Sequence, residues 1–305
     1  MTPTSLIWMD GKLVDEAQAT VPFLNTALHY GLGVFEGIRC YETDRGPAIF
    51  RLKEHMERLV NSARILGFRN LPYTAEQLGQ ACKEVVKANR FKACYIRPLI
   101  YHHSPQRSMN IDAGEARVGI AAWEWGAYLG EEALEKGVRM HVASFTRHHP
   151  NVMMTKAKVT GNYASSSLAK TESVRLGFDE AVMLDPQGYV AECTGENLFI
   201  VRKGVIYTPG TWALLEGITR DALMTLARDL GYEVVETQLS RDHLYIADEC
   251  FVCGTAAEVV PVTEIDFRVV GSGSMGPVTR ALQKDFYAAV HGRHPRSAEW
   301  LDYVE

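Results

Sequence analysis

The 305-residue sequence has no excess of basic residues and no long hydrophobic run. Its 32 Lys and Arg residues stand against 37 Asp and Glu residues, so a basic footprint for nucleic acid is missing. No apolar stretch approaches the roughly 20 residues that span a bilayer. The first residues, MTPTSLIWMDGKLV, lack the basic and apolar segments of a signal peptide. We therefore expect a cytoplasmic protein that binds neither nucleic acid nor membrane.

The sequence also lacks a disulfide framework, because six cysteines are few for a chain of this length. Cys250 and Cys253 form a C-x-x-C in the run ECFVCG. This run is typical of a buried strand, in which residues three apart point to opposite faces, so a zinc or redox motif is not favoured. The pairs His102-His103 and His148-His149 lack the spacing of metal ligands on a helix. We expect no metal site.

Hairpin signals outnumber strand-helix-strand signals along the chain, which indicates an α+β fold with antiparallel or mixed sheets. Asp10-Gly11 suits a two-residue hairpin turn, and Thr74 begins a capping box. A smaller N-terminal α+β domain is expected over residues 1–125, an interdomain loop over 126–135 and a larger C-terminal α+β domain over 136–305. The pattern predicts helices at 51–66, 74–90, 218–231 and 277–290, and a further helix that is capped by Asn162 and ends before Gly177. It predicts strands at 93–101, 117–125, 139–145 and 232–238, and hairpins at 180–193 and 197–209.

Two short turns have the composition of anion-binding sites. In GITRDAL, Thr219 is expected to cap a helix that begins at Arg220, and the free amides of a first helical turn bind anions. In GTAAE, Thr255 and Glu258 have the spacing of a capping box after Gly254. The run GSGSMG at 271–276 matches a dinucleotide turn, but too little chain follows it to complete such a domain.

Two lysines and two glutamates are candidates for chemistry. Lys156 and Lys158 lie in TKAKVTGNYASSS, which contains no acidic residue, and their spacing does not distinguish between them. Glu192 and Glu196 would share a face of a regular strand, where they are as readily a solvated pair as a site. Pyridoxal phosphate requires a Schiff-base lysine, a carboxylate at its pyridine nitrogen and donors for its phosphate. The second half of the chain offers all three.

The order of QGYVAECTGENLF, VIYTP and LLEGITR resembles the signature of the fold-type-IV pyridoxal-phosphate aminotransferases. The resemblance extends through ALHYGLGVFEGIRCY, FRLKEHMERL, CYIRPLI, WEWGAYLG, TKAKVTGNY and CGTAAEVVPV, and it is strongest to the branched-chain amino acid aminotransferases. It implies a two-domain, D-amino acid aminotransferase-like α+β architecture. It also implies transamination of L-leucine, L-isoleucine and L-valine with 2-oxoglutarate, in a homodimer or higher assembly with the site at the subunit interface.

The resemblance, and not the pattern, assigns residue roles. It implies that Lys158 holds the cofactor and moves the substrate proton, that Tyr163 bonds its phenolic oxygen and that Glu192 pairs with its pyridine nitrogen. It places the phosphate at Arg58, Gly217, Ile218, Thr219 and Thr255, and the α-carboxylate at the turn of Thr255, Ala256 and Ala257. Arg97 is implied to receive the distal carboxylate of glutamate. The remaining substrate pocket is implied to comprise Tyr30, Phe35, Gly37, Arg39, Tyr95, Met109, Trp125 and Tyr128.

Pattern and resemblance differ in two places. A helical wheel puts Arg58 away from the apolar stripe, so pattern alone predicts a solvated side chain. This stripe comprises Leu52, Met56, Leu59 and Ala63. The loop 102–113, in the run HHSPQRSMNIDAG, lacks the family's turn glycines and carries Arg107 and Met109. This departure leaves open a transaminase of D-amino acids or (R)-amines. An aminodeoxychorismate lyase, a cofactor-free binding protein and a nicotinamide-dependent dehydrogenase are less favoured alternatives.

Overall fold

The computed structural model describes residues 5–126 and 128–304, and the chain divides into two compact units. Unit 1 consists of Met1–Trp125, Ala157–Asn162 and Ala289–Glu305, and unit 2 consists of Gly126–Lys156 and Tyr163–Ala288. The change of unit after Trp125 coincides with the end of the expected N-terminal domain. The expected C-terminal domain, in contrast, included the segment with Lys158 and the chain end, both of which belong to unit 1.

Nine α-helices occur within residues 5–126 and 128–304. They are α1 Thr26–Tyr30, α2 Leu52–Leu66, α3 Ala75–Ala88, α4 Ala133–Lys136, α5 Tyr163–Arg175, α6 Ile218–Asp229, α7 Arg241–Tyr245, α8 Pro277–Val290 and α9 Ser297–Trp300. In this described part of the chain, no helix combines the length and the apolar character needed to cross a membrane.

The strands form one sheet in each unit. They are β1 Leu6–Met9, β2 Lys12–Asp15, β3 Gly33–Phe35, β4 Ile38–Thr43, β5 Gly46–Phe50, β6 Cys94–His103, β7 Glu115–Trp123, β8 Val138–Val142, β9 Glu180–Leu184, β10 Val190–Cys193, β11 Asn197–Arg202, β12 Val205–Pro209, β13 Val234–Thr237, β14 Glu249–Gly254, β15 Glu258–Ile265, β16 Arg268–Val269 and β17 Leu301–Tyr303. Together with the helices, they confirm the α+β class.

The sheet of unit 1 is antiparallel, with the order β17-β5-β4-β6-β7-β1-β2 and β3 paired to β6. Asp10 and Gly11 both have positive φ between β1 and β2, as the two-residue hairpin requires. The predicted capping box of α3 is present, since Thr74 and Gln77 bond each other's backbone amides. α2 buries the predicted stripe of Leu52, Met56, Leu59 and Ala63 in the unit 1 core.

The sheet of unit 2 is mixed, with the order β10-β9-β8-β15-β14-β11-β12-β13 and β16 paired to β15. The predicted hairpins β9–β10 and β11–β12 are antiparallel. β13 runs parallel to β12 after α6, and β8 runs parallel to both β9 and β15. Most strand residues on β11 and β14 are buried, so these central strands are near-continuous apolar runs.

Three predicted caps are wrong in detail. GTAAE is not a helix start: Thr255 lies in the turn between β14 and β15, and Glu258 opens β15 with a φ of 61°. Helix α6 begins at Ile218 with Gly217 as its cap, so Thr219 lies inside the first turn. The side-chain oxygen of Asn162 is buried and bonds nothing within the described residues, so it does not cap α5.

Two motifs that suggested other chemistry have structural roles. The first amides of α8, after GSGSMG, are occupied by the buried Glu249 carboxylate, which accepts from Val278 N at 3.0 Å and Thr279 N at 2.8 Å. A dinucleotide phosphate would compete with this carboxylate for the same donors. Cys250 and Cys253 lie on one regular strand opposite Val262 and Val259, and burial raises the pKa of both thiols.

Candidate active site

The segment that carries Lys158 is bonded into unit 1 through its backbone. Lys158 N donates to Ser62 Oγ at 3.0 Å, Lys158 O accepts from Phe35 N at 3.0 Å, and Val159 forms an isolated bridge with Val34. The Lys158 ammonium lies 5.2 Å from the centroid of the Phe35 ring. A fixed backbone therefore presents the half-buried amine against an apolar ring.

Lys156 has different surroundings. Burial alternates from Thr155 to Val159, as on a strand, and puts both lysines on the less buried side. Lys156 lies in unit 2, however, where its ammonium bonds Glu216 at 2.7 Å and the carbonyl of Thr211. Spacing along the chain could not reveal this difference, because Glu216 is far away in sequence.

Arg58 is not solvated, contrary to the helical-wheel prediction. Its side chain is only 14% exposed, and its Nε and Nη2 donate to Glu36 Oε1 and Oε2 at 2.6 and 2.8 Å. His55 Nδ1 contacts Glu36 Oε2 at 2.8 Å. His55, Arg58 and Ser62 are spaced i, i+3 and i+7, and form a second, polar stripe along α2. That spacing is the sequence signal by which His55 and Ser62 could have been found.

The buried Glu36 carboxyl is ionised. Burial alone would raise its pKa, but the Arg58 charge and the hydrogen bonds from Arg58 and His55 lower the pKa well below its usual range. Burial lowers the pKa of His55, and the Lys158 charge adds to this effect. Since Glu36 can only accept, a neutral His55 carries its hydrogen on Nδ1. His55 Nε2 is then an acceptor, and it has no hydrogen-bond partner in the described part of the chain.

Arg97 lies among aromatic rings of unit 1. Its guanidinium carbon is 4.7 Å from the Phe35 centroid, 5.2 Å from Tyr95 and 5.8 Å from Trp123. Arg97 Nη2 donates to the Tyr95 hydroxyl at 3.1 Å, whereas its buried Nε bonds nothing among the described residues. Trp125 contacts the Tyr95 ring edge-on at 4.7 Å. An apolar cage that holds one guanidinium suits ligands with apolar side chains and carboxylates.

The other predicted pocket residues of unit 1 differ in placement. A Cβ on Gly37 would lie 1.9 Å from the Tyr95 hydroxyl, so only glycine fits there. Arg39 lies opposite Tyr95 on β4 and donates to the Trp125 carbonyl at 3.4 Å. Tyr30 is 48% exposed at the end of α1, and Met109 is 70% exposed.

The loop with Met109 is held at its base. His102 Nε2 contacts Ile111 O at 3.2 Å, and Ser104 Oγ donates to Ala113 O at 2.9 Å. Arg107 adopts a positive φ of 55° at the exposed tip, in the left-handed region that favours glycine. The departure from the family's glycine pattern is thus accommodated by side-chain bonds below the tip.

Glu192 is a buried carboxylate of unit 2, only 6% exposed. Its Oε1 forms an ion pair with Arg147 Nη2 at 2.8 Å, and it accepts from Asn197 Nδ2 and Leu215 N at 3.3 Å. Arg147 Nε is buried with no partner within the described residues. A Cβ on Gly217 would lie 1.9 Å from Asn197 Oδ1, so the glycine that caps α6 permits this approach. Arg147 and Asn197 were missed in the sequence, because neither lies in a recognisable motif.

Glu192 and Glu196 do not share a strand, because β10 ends at Cys193. Both side chains are buried, so the alternative of a solvated pair is excluded. Glu180, on β9, bonds the Lys170 ammonium and the Thr194 hydroxyl, each at 2.6 Å. No local pattern in the sequence pointed to Glu180 or Lys170.

The remaining predicted residues also lie in unit 2. Tyr163 is half-buried at the first position of α5, and the exposed Tyr128 lies 5.5 Å from the Lys170 ammonium by its ring centroid. Thr255, Ala256 and Ala257 form the turn between β14 and β15, in which Ala257 is buried. Ile218 and Thr219 are buried in the first turn of α6, whose cap supplies no side-chain bond to the amides.

The model of the family described as amino-transferase class IV matches residues 33–265. The chain belongs to this family. A branched-chain-amino-acid aminotransferase of Pseudomonas aeruginosa is 48% identical over 300 residues, which cover 98% of this chain and 97% of that protein.

Two solved structures of branched-chain amino acid aminotransferases match this family member over nearly the whole of both chains. The enzyme from T.th., complexed with N-(5'-phosphopyridoxyl)-L-glutamate, has a TM-score of 0.95 and 51% identity over 100% of both chains. The enzyme from Thermoproteus uzoniensis, with norvaline, has a TM-score of 0.94 and 45% identity over 99% of this chain and 100% of that chain. The fold is therefore that of the fold-type-IV aminotransferases, as the sequence resemblance implied.

Proposed function

We propose that the protein is a pyridoxal-phosphate-dependent aminotransferase that exchanges the amino group of L-leucine, L-isoleucine or L-valine with 2-oxoglutarate. The observation that carries the proposal is the buried Glu192. Its carboxylate forms an ion pair with Arg147 and accepts hydrogen bonds from Asn197 and the Leu215 amide. A fixed, desolvated carboxylate is the group that keeps a pyridine nitrogen protonated. Membership of the family and the names of the relatives support the same activity.

The chain's residues fit the cofactor in type. Bound pyridoxal phosphate would supply an electron sink for the substrate's α-carbon. We assign its covalent attachment to Lys158, whose amine lies on the Phe35 ring and whose backbone is fixed by Ser62. The attachment requires the neutral amine of this lysine as the nucleophile. Lys158 would also carry the proton removed from the substrate.

Several groups of the chain are proposed to contact the cofactor's phosphate and ring. The first turn of α6, Gly217 to Thr219, offers backbone amides without a side-chain cap, and anions bind such turns. Arg58 would add a charge whose direction is fixed by Glu36. We assign Tyr163 to the cofactor's phenolic oxygen and Thr255 to its phosphate.

The substrate roles rest on the cage around Arg97. Phe35, Tyr95 and Trp125 supply apolar surface for a branched side chain, and the unpartnered Nε of Arg97 supplies a donor for the distal carboxylate of glutamate. The turn of Thr255, Ala256 and Ala257 is proposed for the α-carboxylate. Gly37, Arg39, Tyr30 and Tyr128 are proposed to border the pocket.

A homodimer or higher assembly is also proposed, with the site at the subunit interface. Apolar side chains are exposed along one short segment of unit 1, where a monomer would leave them in water. They are Val21, Phe23, Leu24, Leu28 and Tyr30, with exposures between 43% and 76%. Met109, at the tip of the loop, is proposed to reach the neighbouring subunit's site. The expected cytoplasmic location stays a prediction.

The decisive experiment is the visible absorbance of the protein loaded with pyridoxal phosphate. We expect a band from lysine-bound cofactor that L-leucine bleaches and 2-oxoglutarate restores. Bleaching by an (R)-amine or D-leucine alone would assign the chain to the alternative transaminase class. Absence of any band would contradict an enzyme that uses this cofactor.

A further inference from the structure

Three buried carboxyl groups lie close together in unit 2, and two of them form ion pairs with cations. Glu180 is 0%, Glu192 6% and Glu196 3% exposed. Lys170 bonds Glu180 at 2.6 Å, and Arg147 bonds Glu192 at 2.8 Å. No Lys, Arg or His forms an ion pair with Glu196 anywhere in residues 5–126 and 128–304. Within the described residues, Glu196 is therefore a buried carboxyl of this cluster without a cation bonded to it.

The hydrogen bonds of Glu196 are also too few for a buried charge. Its carboxyl accepts from its neighbour's amide, Gly195 N, at 3.1 Å. Glu180, in contrast, accepts from Thr194 Oγ1 and Ala181 N in addition to Lys170. A buried carboxylate with one amide donor and a negative neighbour is far more costly than a neutral acid. Burial accordingly raises the pKa of Glu196 to about 8, and the charge of Glu180 contributes.

Glu196 lies against the start of a turn that is proposed to bind an anion. Asn197 pairs with Cys253 across β11 and β14, which brings Glu196 opposite Gly254. A Cβ placed on Gly254 would be 3.7 Å from both Cα and Cγ of Glu196. Gly254 is followed directly by Thr255, Ala256 and Ala257. The side chain of Glu196 therefore packs against Gly254, the residue that leads into this turn.

We propose that Glu196 is a positioning residue that stays protonated beneath the Gly254–Ala257 turn, and that its neutrality allows this turn to bind the substrate's carboxylate. The inference rests on the proposed function for the carboxylate's identity, but not for the protonation itself. Ionisation of Glu196 would place a second negative charge beside the bound carboxylate and weaken its binding through like-charge repulsion.

The charged and titratable groups around Glu196 come from four elements. Glu180 from β9 and Glu192 from β10 oppose its ionisation, and Lys170 from α5 favours it. The two thiols beside it are neutral, because burial raises their pKa values. These are Cys193 on β10 and Cys253 on β14.

The protonation is tested without cofactor or activity. Infrared difference spectra of the protein between about pH 7 and about pH 9.5 report loss of the carbonyl band of a protonated carboxyl group. We expect this band to disappear with an apparent pKa near 8 in the wild type and to be missing in Glu196→Gln. Glu233→Gln, which changes an exposed glutamate of unit 2, is the matched control and should leave the band unchanged.

The link to the turn is tested with the holoenzyme and 4-methylvalerate, a carboxylate that lacks an amino group. In the wild type, we expect its Kd to rise by about tenfold between about pH 7 and about pH 9.5. In Glu196→Gln this additional rise should vanish, because an amide cannot ionise. Any rise that the two proteins share belongs to other groups.

Two results would overturn the inference. A carbonyl band that persists in Glu196→Gln assigns the proton to another carboxyl. Parallel rises of Kd in the wild type and in Glu196→Gln separate Glu196 from the turn. If the protein fails to take up pyridoxal phosphate, the proposed function fails, yet the wild-type infrared titration still decides whether Glu196 holds a proton.

Discussion

Two fully buried glutamates, one in each unit, ionise in opposite ways. Glu36 in unit 1 has a pKa far below its usual range, whereas the pKa of Glu196 in unit 2 is raised to about 8. Burial raises the pKa in both places. Glu36 differs because one arginine bonds both of its oxygens and a histidine adds a third donor. The charges and hydrogen-bond donors around each carboxyl, and not burial alone, therefore decide which acid is ionised.

The difference suits the proposed chemistry in each unit. Around Glu36, a fixed negative charge orients Arg58 and keeps the proton of His55 on Nδ1. Around Glu196, a neutral acid limits the negative charge that accumulates near Glu192 and the Gly254–Ala257 turn. Each carboxyl acts by setting the electrostatic field of a neighbour that is proposed to contact cofactor or substrate.

The largest expected effect is the loss of activity on removal of Lys158, whose charge acts on His55 beside Glu36. Lys158→Ala should reduce transamination by about 10³-fold or more, because both the covalent link and the proton carrier are lost. The visible band of lysine-bound cofactor should disappear, while the far-ultraviolet circular dichroism is retained. Single-turnover absorbance with L-leucine measures the loss.

Lys156→Ala is the matched control for this prediction. It removes an ammonium two residues away that bonds Glu216 in unit 2. Its band and its half-reaction should stay within about threefold of the wild type, since exposed ion pairs contribute little. Equal losses in the two variants would contradict the assignment of Lys158.

Local pattern was sufficient for most elements of the fold. The Asp10-Gly11 turn, the Thr74 capping box and the apolar stripe of α2 each depend on residues within a few positions of one another. The hairpin count indicated antiparallel or mixed sheets, and the two units have one sheet of each type. These features were predictable because the interactions that fix them are short-range in sequence.

The site itself was not predictable from local pattern. Glu36 and Arg58 are 22 residues apart, and Glu249 caps a helix 29 residues later. The first pair explains why Arg58 is half-buried, and the second explains why the amides after GSGSMG already bond a carboxylate. The hydrophobic periodicity of the sequence predicts neither pair. The resemblance identified Lys158 and Glu192 as candidates, but it was silent on Arg147 and Glu180, which determine the charge around Glu192 and Glu196.

A smaller effect, on stability, is expected when the Glu36 charge is removed. Glu36→Gln places an amide nitrogen against donors of Arg58 or His55, and it leaves the half-buried Arg58 without its counter-ion. The free energy of unfolding should fall by about 3 kcal/mol at neutral pH, as urea denaturation would measure. Because the folded-state pKa is depressed, this stabilisation is present above the unfolded value near 4.5 and is lost as pH falls below it.

Glu42→Gln is the control for Glu36→Gln. Glu42 is 59% exposed and pairs with Lys92 at 3.2 Å, so its loss should change the unfolding free energy by about 0.5 kcal/mol or less. The difference between the two variants should shrink on acidification. A cost that stays constant from neutral pH to about pH 3 would mean that packing, and not charge, holds Glu36 in place.

The smallest effect is expected from a change in the cation count of unit 2. Lys170→Met removes the ammonium that bonds Glu180, and should lower the unfolding free energy by about 2 kcal/mol at neutral pH. Without this cation, the buried cluster carries more net negative charge, so the loss of stability should be larger at alkaline pH than at acidic pH. Lys136→Met, which breaks an exposed pair with Glu132, is the control and should show a small loss of stability that does not depend on pH.

Equal pH profiles of unfolding free energy for the two variants would contradict the view that the number of cations bonded to these carboxyl groups determines their charge. The neutral state of Glu196 would then require another cause.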